Sequence, residues 1–181
     1  MALIAEEVVE EWLNQAGYFT IRGIKLGVSE MDILAIKRVG NEWDLRHYEV
    51  QASVNPVSYI SSVPKALQNS EGRASTSMKK RSQDELRMGV NEWISKKFLD
   101  VKKEKLRNRL CPGEWSYHFV VGEVKHQDEL QIFQESQVTI KRLSEVIKKL
   151  QSNPEREFTA SGKDLCDLIS MGNSLSTEAA K

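Results

Sequence analysis

Two strand-like runs stand almost back to back in the first third of the chain: Glu30 to Val39 (EMDILAIKRV) and Asp44 to Ser53 (DLRHYEVQAS), separated only by Gly40-Asn41-Glu42-Trp43. Both are rich in β-branched, aromatic and long apolar residues, and a short glycine-containing gap joins antiparallel neighbours, so the pair reads as a β-hairpin. The stretch from Ile33 to Ile36 is apolar without alternation, which calls for a central strand covered on both faces. With residues 40–43 as the loop, Val39 pairs with Asp44, Asp32 lies opposite Gln51, and Glu49 sits on the diagonal. All three then share one face of the sheet.

Cross-strand neighbours have Cβ atoms about 5 Å apart and diagonal ones about 7 Å apart. Two carboxylates that close, on half-buried strands, repel unless something positive lies between them, and oxygen ligands at this spacing suit a hard cation. A solvated sheet face would also interleave acids with apolar residues. Asp32, however, interrupts a run of buried character, and Glu49 stands between Tyr48 and Val50; charges so placed are as a rule paired or metal-bound.

The rest of the chain supplies an α/β framework with a mixed sheet. Ala5, Val8, Val9, Trp12, Leu13 and Ala16 recur at helical spacing before Gly17, predicting a first helix over residues 2–16. Tyr18 to Arg22 reads as a short strand, Trp115 to Val121 as a strong one, and Val138 to Ile140 as another short one. Asp84 to Leu110 reads as one long amphipathic helix, and residues 143–151 and 161–170 as short helices. A single domain over residues 1–170, with a small polar tail over 171–181, is the expected organisation.

Charge is distributed unevenly although its total is zero. From Pro64 to Pro112 there are 13 Lys and Arg against 6 Asp and Glu, leaving 13 against 20 elsewhere. This basic helical segment carries Lys79, Lys80 and Arg81 beside a Ser/Thr-rich loop, then Lys96, Lys97, Lys102 and Lys103. Such a run is either a solvated helix with its own ion pairs or a surface that contacts backbone phosphates, and a nearby phosphodiester site favours the second.

Several chemistries fall away. There is no G-x-x-x-x-G-K-[ST] loop, no G-x-G-x-x-G and no G-x-S-x-G, which removes the usual nucleotide hydrolases, dehydrogenases and serine hydrolases. Cys111 and Cys166 are isolated, with neither zinc spacing nor a disulfide framework. No apolar stretch approaches the ~20 residues that span a bilayer. The opening Met-Ala-Leu-Ile-Ala-Glu-Glu has no basic flank or cleavage pattern, so a cytoplasmic protein is expected.

Glu6, eleven residues before Gly17, then Glu30-Met31-Asp32-Ile33-Leu34-Ala35-Ile36, then His47-Tyr48-Glu49-Val50-Gln51, resembles the PD-(D/E)XK nuclease superfamily over about residues 2–55. The resemblance implies a restriction-endonuclease-like core of helix, three antiparallel strands, helix and a further strand, the last being Trp115 to Val121. It implies Asp32 and Glu49 as ligands of Mg2+ (or Mn2+), with Glu6 as a helix-borne carboxylate completing the site. It also implies hydrolysis of nucleic-acid phosphodiester bonds, in DNA before RNA, and a possible homodimer where both strands are cut. A carboxylate-held magnesium would supply what that hydrolysis needs, a water deprotonated near neutral pH and neutralised phosphate charge.

Two departures stand out. Met31 takes the place usual for Pro, and Gln51 the place of the motif Lys. Lys is a point charge that can hold the attacking water and the phosphate, whereas Gln only donates and accepts hydrogen bonds. Lys65, after the third strand, and Lys125, in the stray string Glu123-Val124-Lys125, are candidates for a relocated lysine. Glu7 could replace Glu6 on a slightly rotated helix. His47 shares the face of Glu49 but is expected to be a sheet histidine, and His118 is expected to be structural.

Overall fold

A computed structural model describes residues 2–53, 55–152, 162, 164 and 167. It is a mixed five-stranded sheet in the order β1-β2-β3-β4-β5 with helices on both faces. Helix α1 (Ala2–Gln15) leads into β1 (Phe19–Leu26), β2 (Ser29–Val39) and β3 (Glu42–Gln51), an antiparallel meander. Helices α2 (Lys65–Glu71), α3 (Gln83–Lys97) and α4 (Val101–Leu110) then carry the chain to β4 (Trp115–Val121), parallel to β3. Helix α5 (Asp128–Glu135), β5 (Val138–Arg142), parallel to β4, and α6 (Leu143–Ser152) complete it. The expected order of helix, three antiparallel strands, helices and a further strand is the observed one.

Both sides of the sheet are packed. Ala5, Val8, Val9 and Leu13 of α1 meet Val146 and Leu150 of α6 over Ile33, Ala35, Tyr48, Val50 and Val120. On the other side Leu86, Val90 and Ile94 of α3 and Leu130, Ile132 and Phe133 of α5 cover Phe119 and Val121, while Leu106 of α4 joins Leu34, Leu45 and Trp115. Ile33, Leu34 and Ala35 are all fully buried, as an unalternating apolar run demands.

Three expectations are corrected. The hairpin loop is two residues long, not four: Val39 pairs with Glu42, and Gly40 takes a φ of 60° as the first central residue of a tight primed turn. The long helix breaks after Lys97, because the Asp100 side chain caps a new helix by accepting the N–H groups of Lys102 and Lys103. The strand after Gly17 extends to Leu26, and α5 was not foreseen. The predicted tail over 171–181 lies outside the described residues, as does most of the helix expected over 161–170. Among the described residues no helix is long and apolar enough to cross a membrane.

Candidate functional site

The ladder between β2 and β3 stops at Ile33 and Tyr48, one step short of Asp32 and Glu49. Continued by that step, the observed register sets Asp32 opposite Glu49 rather than opposite Gln51. Shortening the loop by two residues moved the pairing by two, and an even shift keeps every side chain on its face. Asp32 Oδ2 accepts the Val50 N–H at 2.7 Å. Both carboxylates are buried, Glu49 completely.

Glu49 is held by two lysines from the helices that cover this face. Lys97, the last residue of α3, places Nζ 2.5 Å from Oε2, and Lys103, in the first turn of α4, places Nζ 2.8 Å from Oε1. The two differ in freedom. The Lys103 side chain is 1% exposed and also donates to the Lys97 carbonyl at 2.7 Å, whereas the Lys97 side chain is 32% exposed and, among the described residues, its ammonium bonds only to Glu49. Arg107, one turn beyond Lys103, brings Nη1 3.1 Å from His47 Nδ1. Because a guanidinium only donates, Nδ1 accepts and the imidazole proton belongs on Nε2, which faces Glu49 Oε1 at 3.2 Å, though off line for a hydrogen bond.

The electrostatics divide the two carboxyls. Burial pushes Asp32 up to about 7, helped by the neighbouring Glu49 charge and opposed by Lys97 and the Val50 hydrogen bond. Burial also works against ionised Glu49, but His47, Lys97 and Lys103 outweigh it and draw the group down to about 2. Burial takes His47 down to about 4, so it is neutral at physiological pH. Lys97 is lowered by burial and raised by more through Glu49 and Asp32.

The remaining site residues fall in different places. Glu6 is buried on α1; burial and Glu30 raise its pKa, and it senses both Glu49 and Lys97. Glu7 is exposed and paired with Arg22 at 3.3 Å, so it does not substitute for Glu6. Gln51 ends β3, beside Val121 of β4. Lys65 and Lys125 are exposed and away from Glu49; the cation at that carboxylate comes from Lys97 and Lys103 instead. Glu123 and Lys125 flank the buried Val124, whose bridge to Val57 accounts for that string. His118 stacks on Tyr48 at 4.6 Å, in keeping with a structural role.

The basic segment is not uniformly a surface. Lys79, Lys80, Lys96 and Lys102 are exposed, but Arg81 and Lys103 are buried. Arg81 lies 4.1 Å above the Tyr59 ring and donates to the Ser61 and Ser62 carbonyls, fastening the loop before α2; Lys103 is an internal counter-charge. Their expected role as outer phosphate contacts is therefore withdrawn. Helical phase was the available signal for Lys103 and Arg107: they share one stripe of α4 with its buried Leu106.

The donor set suits a hard divalent cation. Asp32 and Glu49 face each other with oxygen ligands, and Asp32 has one hydrogen-bond donor and no ion-pair partner among the described residues. Glu6, Asp32 and Glu49 do not form a ready-made cluster, however: no group of three His, Cys, Asp or Glu among the described residues is arranged to hold a metal. Both Glu49 oxygens already accept a lysine ammonium, so a cation at Glu49 would compete with those ion pairs.

No family model matches the chain, and no curated protein matches it. Solved structures align over most of it, two of them as follows. One is a protein of unknown function, AF1548, with a TM-score of 0.43 and 15% identity, covering 93% of this chain and 67% of that one. The other is the MspJI restriction endonuclease in complex with a 27-mer oligonucleotide, with a TM-score of 0.39 and 14% identity, covering 94% of this chain. The chain spans only 30% of the endonuclease's length. The site's own geometry carries the functional reading.

Proposed function

We propose that this chain is a metal-dependent nuclease that hydrolyses phosphodiester bonds of nucleic acid, in DNA before RNA, with Asp32 and Glu49 holding Mg2+ or Mn2+. The observation that carries this reading is the pair of buried carboxylates facing each other where the β2–β3 ladder ends, with the half-exposed ammonium of Lys97 against one of them. When bound, the cation lowers the pKa of water and neutralises charge on the phosphate. Asp32 and Glu49 would hold it, and Glu6 of α1 would add a third carboxylate only by moving, since the three do not form a cluster among the described residues. Lys97, at Glu49, would supply to a phosphate oxygen the point charge that Gln51 lacks. Gln51 is left with hydrogen bonding to water or phosphate.

The test is incubation with plasmid, single-stranded DNA and RNA under Mg2+ or Mn2+, with Asp32→Ala as the inactive control. Lys97→Ala should cost at least about 10²-fold in rate, the usual loss on removing one transition-state contact, and Gln51→Ala should cost less. A wild type that binds nucleic acid and cleaves none of these substrates would make the chain a non-cleaving binding module. That second reading is favoured by one feature, the occupation of both Glu49 oxygens by lysines.

A further inference from the structure

A groove of about 780 Å3 runs between α2 and α3, lined by Lys65, Gln68, Trp93, Ser95, Lys96 and Lys97. Its ammonium groups differ in what they hold. Lys65 and Lys96 have no ion-pair partner among the described residues, while Lys97 also lines the groove and is paired with Glu49. The acid on this wall, Glu92, is turned to the backbone, accepting the Lys65 N–H at 3.1 and 3.2 Å. The groove is thus lined by two lysines without an ion-pair partner among the described residues and by a third that is already engaged. Gly89 is the residue that lets α3 approach this closely: a Cβ there would come within 2.7 Å of Ser61 Oγ.

We infer that this groove seats the backbone phosphates of a nucleic-acid strand, and that a phosphate in it competes with Glu49 for the Lys97 ammonium, so that strand binding frees the carboxylate for a divalent cation. The inference rests on the nuclease reading and adds an order of events to it. Lys103 cannot be the group that moves, because it is enclosed and doubly bonded; Lys97 can, because its one partner among the described residues is Glu49 and about a third of its side chain already meets solvent. When Lys97 leaves, Glu49 keeps Lys103 on Oε1, so no buried charge is stranded, and Oε2 loses its ammonium. By linkage, the cation must favour strand binding by the same factor.

Calorimetric titration with Ca2+, a hard cation that takes the same oxygen ligands, measures this without turnover. It is run on the wild-type chain alone and with a saturating single-stranded oligonucleotide, and again with an oligonucleotide of neutral methylphosphonate linkages. The wild type should bind Ca2+ roughly tenfold tighter with the charged strand, within the usual range of coupling between sites, and no tighter with the neutral one. Lys97→Met should bind Ca2+ alone about as well as the wild type does with the strand, and further addition of strand should change little. Lys65→Ala with Lys96→Ala should leave Ca2+ affinity alone unchanged and remove the gain. Coupling of undiminished size in Lys97→Met, or the same Ca2+ affinity in the wild type with and without the charged strand, would overturn the inference while leaving a metal site that Asp32→Asn abolishes. Absence of Ca2+ binding in every variant, with or without strand, would instead overturn the metal site and the inference with it.

Discussion

Asp32→Asn should make the protein more stable near pH 8 and nearly indifferent to the change near pH 4. The Asp32 carboxyl titrates at about 7 in the fold against an ordinary 3.8, because burial and the Glu49 charge both oppose its ionisation. Between those two values the folded chain binds more protons than the unfolded one, so stability falls as pH rises. At about 1.36 kcal/mol per pH unit the full loss is roughly 4 kcal/mol, complete once pH exceeds about 7. Asparagine keeps an oxygen for the Val50 N–H and carries no charge, so it escapes that loss. Glu49 contributes in the opposite sense: drawn from 4.5 to about 2, it stabilises the fold above pH 4.5 and loses that contribution as acid protonates it. Urea denaturation of wild type and Asp32→Asn, without divalent cation, at pH 4, 6 and 8 measures the difference directly. The variant's advantage should grow with pH toward several kcal/mol, and on heating toward a Tm difference on the order of 10 °C at pH 8. Millimolar Mg2+ should narrow the gap at pH 8 by stabilising the wild type alone. A difference that is the same at all three pH values would refute the argument that Asp32 is a strained buried charge.

Other perturbations separate surface charge from internal charge. Neutralising Lys79 and Lys80 together should reduce the slope of log K against log salt for duplex DNA by about 0.9 per lost contact, whereas Arg81→Ala should leave that slope alone and lower Tm, since its guanidinium fastens the Ser61 and Ser62 carbonyls. Gly89→Ala should destabilise by about 1–3 kcal/mol in urea melts, because its Cβ meets Ser61 Oγ at 2.7 Å and the Ser62 carbonyl at 3.1 Å. Lys103→Met should cost about 3–5 kcal/mol, the usual loss when one partner of a buried ion pair is removed, and Lys97→Met much less, as a half-exposed partner with Lys103 still in place; equal losses would contradict the division of roles between them.

What the sequence disclosed followed the reach of its local rules. Strand alternation and the unbroken run through Ile33 and Leu34 placed Asp32 and Glu49 on one face. The turn was misjudged because Glu42 and Trp43 look equally at home in a loop, and the sign that they are strand is Gly40 taking the one positive φ that a two-residue turn demands. An even slip preserved the faces and altered only the neighbours. The lysines at Glu49 were harder to see. They enter from helices 48 and 54 residues downstream, and in Lys96-Lys97 and Lys102-Lys103 each buried or half-buried lysine stands beside an exposed one. A doubled lysine on a helix reads as a solvated face unless the phase of the whole helix is resolved. In α4 that phase was masked by a composition with few apolar residues, Val101, Leu106 and Leu110, of which only Leu106 is buried. Arg81 was misread for a related reason: it ends a run of three basic residues, and only the tertiary fold turns one of them inward.

The charge inventory around Glu49 explains why a buried lysine and a half-exposed one belong together. Lys103 and Arg107 are enclosed on α4 and cannot be re-solvated without opening the helix from the sheet. Lys103 alone neutralises Glu49, and Arg107 is satisfied by neutral acceptors, the His47 ring and the Phe98 carbonyl. The fold is therefore already balanced at Glu49 before Lys97 is added, and Lys97 is a surplus cation. Beside it Asp32, which the Lys97 charge favours but does not pair with, holds its proton to about pH 7 because burial and Glu49 outweigh that help. On the nuclease reading, an anion would take the Lys97 ammonium and a cation the Asp32 and Glu49 carboxylates. A phosphodiester with its divalent cation brings both charges at once.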